Sequence, residues 1–547
     1  MKMKFSTSAL FLLFVLSLSY GQNPKTKTPF TKQDTLRGSI TPERAWWDLT
    51  YYHLDIEVNP EDKYISGKNT VQYTVLEPHQ VMQIDLQAPM QITKVTQNNR
   101  ELQVKKEGNA HFITLAAPQQ PGAVNSLDIY YKGHPREAIR APWDGGISWK
   151  KDSVGNPFVA SSCQGIGASI WWPNKDHMYD EVDSMAISVT VPKGLMNVSN
   201  GRLRNVEEHP DSTTYHWFVN NPINNYGVNI NIADYAHFSE VYPGEKGPLT
   251  MDYYVLRGNL EKAKEHFKDA PRTLEAFEYW FGPYPFYEDG FKLVEAPYLG
   301  MEHQSSVTYG NQYMKGYLGK DLSGSGWGLK WDYIIIHETG HEWFANNITY
   351  KDAADMWVHE GFTTYSENLF IDYFYGKEAA SEYVIGQRKR ITNKKPMIGP
   401  YGVNKRGGDL YDKGANVLHT LRQLVEDDEK WRNILRGLNK DFYHQTVTTQ
   451  QIENYISEKT GYNLQEFFDQ YLRTTKIPTL EYKMEKNLLK YRWTNTIDNF
   501  DMPVLVYIDN TAEWLYPNAE WKTMELETQT PDIRVDKNFY IDVNPVE

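Results

Sequence analysis

Ile334-Ile335-Ile336-His337-Glu338-Thr339-Gly340-His341-Glu342-Trp343-Phe344 is the stretch on which the reading of this chain turns. Residues four apart on a helix share a face, so His337 and His341 point the same way, and two imidazoles so placed can hold one zinc ion. Glu338 lies one position round, within reach of a water at that ion without being a ligand itself. The bland alternative is two histidines on an ordinary helix surface. The residues downstream argue against it. Past Asn346-Asn347, which reads as a helix end, comes Trp357-Val358-His359-Glu360-Gly361-Phe362. From Glu360 an apolar period runs through Tyr365, Leu369, Phe370 and Phe374 to Gly376, a good C-terminal stop. Glu360 therefore opens a second helix that can pack on the first and supply a carboxylate. Two His and one Glu leave a fourth metal position open, as catalytic zinc sites require. His359 beside it reads as packing rather than a fourth ligand, because a fourth would close the site.

The chain begins with what reads as a signal peptide, residues 1–21. Lys2 and Lys4 precede an apolar run at 9–18 that is too short to span a bilayer, and Ser19-Tyr20-Gly21 offers a cleavage site before Gln22. No cysteine stands there for a lipid anchor, and no later stretch reads as transmembrane. The expectation is an exported protein, periplasmic or extracellular. Residues 22–45 read as a flexible lead-in. The single cysteine, Cys163, allows no internal disulfide, so stability must come from buried cores. A net charge of −13, from 57 basic and 70 acidic residues among 547, gives no electrostatic support for binding nucleic acid or anionic membranes.

The fold class reads as multidomain α+β. Over 46–239 short alternating runs succeed one another, such as Leu54-Ile56-Val58 and Val71-Tyr73-Val75 around the turn Asn59-Pro60-Glu61-Asp62, and predict an antiparallel β domain. Its aromatics Trp171 and Trp172 read as core. Over 240–477 the pattern is mainly helical, with a strand at 291–295 and a Gly-rich, mobile loop at 316–328. Over 478–547 alternation returns in Leu480-Tyr482-Met484, Val504-Val506-Ile508 and Phe539-Ile541-Val543, and predicts a small C-terminal β-sandwich.

Taken together these pieces resemble the aminopeptidase N family of gluzincin metallopeptidases, peptidase family M1, from about Trp46 onward. The most specific likeness is His-Glu-x-x-His, 18 intervening residues, then Glu360 within a Trp-x-x-Glu-Gly-Phe setting. Tyr411-Asp412-Lys413-Gly414-Ala415 resembles the family's Tyr-x-Lys-Gly-Ala segment. Leu299-Gly300-Met301-Glu302-His303 resembles its Gly-x-Met-Glu-Asn exopeptidase motif, with Leu for the first Gly and His for Asn. Gln164 falls where the family carries a residue that contacts the substrate's amino end, although Ala168-Ser169-Ile170-Trp171-Trp172-Pro173 departs from the usual Ala-Arg-x-x-Phe-Pro form. The chain looks like a secreted bacterial-type member without the family's large helical C-terminal domain, which would leave the cleft less enclosed.

The resemblance implies a thermolysin-like, mostly helical catalytic domain holding one Zn2+ on His337, His341 and Glu360. It implies Glu338 as general base and Tyr411 as the donor that stabilises the transition state. It further implies Glu302, Gln164, Gly300 and Met301 as substrate-binding, with Glu302 taking the free α-ammonium. The expected activity is zinc-dependent release of N-terminal residues from peptides, with peptides bearing a free N-terminus as the binding partners. Alternatives are a zinc endopeptidase, which has no use for Glu302, and a non-catalytic peptide-binding scaffold, which could dispense with Glu338 and Tyr411. Epoxide hydrolysis, the chemistry of the leukotriene branch, has no specific support in these residues. His303 could alter pH dependence or side-chain preference at the amine pocket. Thr363, Thr364 and Glu367 are candidates to orient the ligands.

Overall fold

The computed structural model describes residues 30–527 and 530–546. The signal-peptide expectation and the first part of the lead-in therefore lie outside the described residues. From Lys32 the lead-in is helical rather than flexible. Thr31 caps the helix Lys32–Gly38 by accepting from the Asp34 amide, and the Asp34 carboxylate accepts from Thr31 in return. A few residues on, Arg44 is fully buried against Asp85 and donates to three carbonyls of the lead-in, which fixes this segment to the domain behind it. Sequence periodicity could not reveal this, because Asp85, which ties Arg44 to the domain, lies 41 residues along the chain.

The β domain is built on an eight-stranded sheet in which Trp47–Asn59, Tyr64–Val75 and Val124–Gly133 pair antiparallel. One junction departs from that expectation. Trp47–Asn59 runs parallel to Ser184–Pro192, with Tyr51 opposite Ser184. A four-stranded sheet of Met196–Val198, Asn231–Ala233, Pro157–Ser162 and Gly146–Lys151 packs on it and brings Gln164 to the domain's edge. Trp171 and Trp172 are fully buried, with Trp172 edge-on to Tyr52, so both are core.

The next sheet begins at Tyr235, not at 240. The hairpin of Tyr235–Gly244 and Gly247–Leu256 leads through Phe291–Glu295 and Val307–Tyr309 to a short edge strand, Gly300–Met301. That edge lies against the helix Tyr333–Gly340. A Cβ on Gly300 would stand 2.5 Å from Ile334 Cγ2 and 2.9 Å from Glu338 Oε1, so only glycine lets the strand pass so close. Helices Asp269–Phe281, Trp357–Tyr375, Asp412–Val425 and Asp428–Asp441 pack around it. Two contacts set their spacing. A Cβ on Gly340 would meet Ser366 Oγ at 2.4 Å, and one on Gly414 would meet Gly361 Cα at 2.6 Å. The second contact is backbone against backbone and brings Tyr411, at the N-terminus of Asp412–Val425, up to the helix that carries Glu360.

Beyond Ile477 a four-stranded and a three-stranded sheet face each other across Leu480, Trp493, Val504, Val506 and Phe539, in one continuous core with the helical region. Arg388 donates to the carbonyls of Lys537 and Asn538, and Tyr471 OH to the carbonyl of Tyr540 at 2.7 Å, which docks the module. Among the described residues, no helix is long and apolar enough to cross a membrane.

Candidate metal centre and active site

All eight residues of the helix Tyr333–Gly340 are buried, so the polar His337, Glu338 and Thr339 that follow its apolar first turn face protein or the cleft rather than a solvated surface. Asp332 caps the helix by accepting from the amides of Ile334 and Ile335, and is itself held by His266 Nε2 and Tyr309 OH. The regular helix stops at Gly340, earlier than Asn346-Asn347 suggested. Beyond His341 the chain kinks, with Phe344 (φ −125°, ψ 78°) and Ala345 (φ 161°, ψ −44°) outside helical geometry, before the strand Ile348–Tyr350. His341 keeps helical backbone angles at the junction, so the i, i+4 relation to His337 survives.

His337, His341 and Glu360 bring ligand atoms within 4.8 Å of one another. Both imidazoles aim Nε2 at Glu360 Oε2, at 3.9 Å and 3.4 Å. Glu360 Oε2 is buried and makes no hydrogen bond, which is costly unless a cation sits against it. Each ring is oriented from behind. His337 Nδ1–H donates to Glu367 Oε1 at 2.7 Å, and Tyr383 OH and Gln387 Nε2 donate to Glu367 Oε2. His341 Nδ1–H donates to the Phe344 carbonyl at 3.0 Å and to Thr363 Oγ1 at 2.9 Å. The Nε2 atoms are thereby left as lone-pair donors toward one point. Thr364 Oγ1 makes no hydrogen bond, so of the three orienting candidates it is the one without that geometry. The donor set, the unpaired carboxylate oxygen and the fixed tautomers fit a zinc ion. Glu367→Ala is expected to weaken zinc binding by about 10- to 100-fold. A competition titration against a chromogenic chelator reads this directly, and an unchanged affinity would count against the orienting role.

Electrostatics point the same way. Against the burial that would lower it, the Glu360 and Glu302 carboxylates push His341 up to about 10. Against the burial that would raise it, His341 holds Glu360 down at about 2. The centre is a buried anionic nest that stabilises positive charge. Burial pushes Glu338 up to about 7, with the His337 ring opposing and Glu302 adding to the rise. A carboxyl near neutrality can both take and release a proton.

Glu302 is buried and accepts from Gln164 Nε2 at 2.7 Å and from Tyr226 OH at 3.1 Å. The same Gln164 amide donates to Glu360 Oε1 at 2.8 Å, so Gln164 ties the β domain to both carboxylates. Tyr226 is a site residue that the sequence does not signal. It lies in a polar Asn-Asn-Tyr-Gly turn with no spacing relation to the motif. Tyr411 lies with its ring 6.1 Å from that of His337 and nearly parallel to it. Burial pushes its hydroxyl well above the usual range, with Glu360 adding, so it stays a hydrogen-bond donor. His303 is fully buried, and burial drops it to about 3; it is neutral and does not line the cleft. His359 is also neutral, accepting from the Tyr350 amide at 2.8 Å. Buried Cys163 has its thiol pushed up by burial and is unreactive.

These groups open on a cleft of about 770 Å³. Gly300, Met301, Glu302, Gln164, Glu338 and Tyr411 all line it. So do Tyr317 and Leu322 from the Gly-rich segment. That segment is not a free loop: Asp321 accepts from Ser323 and the Gly326 amide, and the Gly316 amide donates to the Trp331 carbonyl at 2.7 Å.

A family model described as the peptidase family M1 domain matches residues 266–471, and one described as the peptidase M1 N-terminal domain matches 49–226. The chain is 21% identical over 443 residues to probable aminopeptidase 1 of Saccharolobus solfataricus, covering 76% of this chain and 54% of that protein. It is 26% identical over 272 residues to endoplasmic reticulum aminopeptidase 1 of Homo sapiens, covering 47% and 27%. To leukotriene A-4 hydrolase of Xenopus laevis it is 22% identical over 446 residues, covering 76% and 68%. The chain thus spans about half, or less, of the length of the aminopeptidases it matches. Among solved structures, a two-domain M1 zinc metallopeptidase bound to L-tryptophan superposes with a TM-score of 0.65 at 20% identity, covering 77% of this chain and 94% of that one. A mutant of the M1 zinc metallopeptidase of Deinococcus radiodurans gives 0.65 at 20% identity, covering 80% and 96%. This likeness is one of fold.

Proposed function

Since the chain belongs to peptidase family M1, we propose that it is a zinc aminopeptidase that hydrolyses the N-terminal peptide bond of peptides. The observation that carries the reading is the pairing of a His337–His341–Glu360 metal centre with a second buried carboxylate, Glu302, in one cleft. When bound on those three ligands, zinc supplies a Lewis acid that polarises a carbonyl and makes hydroxide available near neutral pH. Glu302 accepts the substrate's α-ammonium, and Gln164 holds that carboxylate in place; together they fix register so that one residue is released per cut. Glu338 takes the proton of the attacking water and returns it to the leaving amine. Tyr411 donates its hydroxyl hydrogen to the carbonyl oxygen as negative charge develops there. Gly300 and Met301 line the wall beside Glu338, where an extended substrate can lie along the edge strand.

An endopeptidase reading is less well supported, because the buried Glu302 carboxylate in the cleft would then face uncharged peptide. Lys2 and Lys4 followed by the short apolar run at 9–18 favour a leader, and with it export to the periplasm or the cell exterior as the place of action. Removal of zinc by a chelator is expected to abolish hydrolysis of leucine anilide, and one equivalent of zinc per chain to restore it. Turnover that survives chelation with less than about a tenth of an equivalent of zinc remaining would sink the metal-dependent reading.

A further inference from the structure

Residues 30–45 lie ahead of the M1 N-terminal domain at 49–226, yet they pack against the turn that carries Gln164. Arg37, in the helix Lys32–Gly38, donates from Nη2 to the Gly165 carbonyl at 3.0 Å, and its Nε lies 3.8 Å from Asp176 Oδ2. Asn404 Nδ2 donates to the same carbonyl, also at 3.0 Å. One backbone oxygen, next in sequence to Gln164, therefore joins the lead-in, the β domain and the catalytic domain. Gly38 makes this meeting possible. A Cβ there would stand 2.1 Å from the Asn404 amide nitrogen, against backbone that has no side chain to move aside. Gly165 and Asn404 line the active-site cleft, and with Arg37 and Tyr226 they also line a second, small cavity of about 40 Å³.

The turn at 163–167 needs that support. Gly165 is exposed and left-handed, at φ 72°, and the turn's own backbone bonds run from the Ile166 amide to the Gln164 carbonyl and from the Gly167 amide to the Cys163 carbonyl. A glycine-bearing turn loses much conformational freedom when it is ordered. Gln164 must nonetheless hold one amide nitrogen 2.7 Å from Glu302 and 2.8 Å from Glu360 at once. A charged donor on the next carbonyl makes the stronger kind of hydrogen bond and fixes the backbone from which that side chain springs. Arg37 is itself held, since buried Arg44 binds the carbonyls of Leu36, Arg37 and Ser39. The competing reading is that Arg37 only docks the lead-in. Lys32 and Gln33 already do so on Glu107, away from the turn.

We propose that Arg37 is a positioning residue for amine capture: through the Gly165 carbonyl it sets the Gln164 amide against Glu302, which makes the lead-in a working part of the cleft. The inference rests on the reading that Glu302 and Gln164 receive the substrate's α-ammonium. Arg37→Ala is expected to raise KM for leucine anilide about tenfold, with kcat within about threefold of wild type and zinc retained. Lys32→Ala, which frees the same helix from Glu107, is expected to leave KM unchanged. In a Gln164→Ala background Arg37→Ala should raise KM by less than about twofold, because no amide remains for it to place. Asn404→Ala removes the other donor to the same carbonyl and reads the same effect should Arg37→Ala fold poorly. A KM unchanged in both variants, a loss confined to kcat, or full additivity with Gln164→Ala would overturn this assignment alone. Equal cleavage of leucine anilide and its N-acetylated form by the wild type, or turnover of neither, would overturn the amine reading and this assignment with it.

Discussion

Glu338→Gln is expected to lower kcat for leucine anilide by about a hundred- to ten-thousand-fold, with KM nearly unchanged and zinc still bound. The glutamine is isosteric and neutral, so it neither accepts a proton nor alters the packing against Ile334 and Gly300. Glu338 also comes within ligand distance of His341, together with Glu302, but the Nε2 atoms of both histidines converge on Glu360 Oε2, so metal affinity is expected to change little by comparison. Zinc content measured beside kcat separates the two effects. Loss of zinc in proportion to activity would move Glu338 into the ligand set; full zinc with a kcat within tenfold of wild type would remove it from proton transfer.

Tyr411→Phe is expected to cost about a hundred- to a thousandfold in kcat, the usual effect of deleting one donor to a developing oxyanion. The phenyl ring keeps the contact with His337, and the backbone approach of Gly414 to Gly361 keeps the helix where it is. The loss should fall on kcat rather than KM, because the donor matters most when the oxygen carries charge. A peptide or anilide kinetic series checks this. An equal rise in KM with kcat unchanged would assign Tyr411 to ground-state binding.

The parts of this site that are legible in the sequence are those set by local geometry. His337 and His341 follow from helical periodicity, and Glu360 from a second amphipathic run with a glycine stop. Tyr411 is legible only through its Tyr-Asp-Lys-Gly-Ala setting. The structure adds why that setting works, since Gly414 is the point of backbone contact that brings Tyr411 in. What stays hidden is what long-range packing creates. Tyr226, 76 residues before Glu302, carries no periodic signal of its hydrogen bond to it. The helix Lys32–Gly38 looks like a flexible arm because its composition is polar, yet Arg37 reaches Gly165 and Arg44 is buried against Asp85. The parallel pairing of Trp47–Asn59 with Ser184–Pro192 is equally invisible, because alternation reports which face is buried and not which strand lies alongside. The segment at 316–328 reads as mobile from its glycines, but Asp321 satisfies its amides in place.

Cleavage of a leucine-initiated peptide beside its N-acetylated twin tests most directly the proposal that Glu302 reads a free amine. Only the free-amine peptide is expected to be cut, one residue at a time from its N-terminus, and Glu302→Ala is expected to weaken this preference sharply. Equal cleavage of the acetylated peptide by the wild type would contradict the claim and leave an endopeptidase as the activity of this cleft.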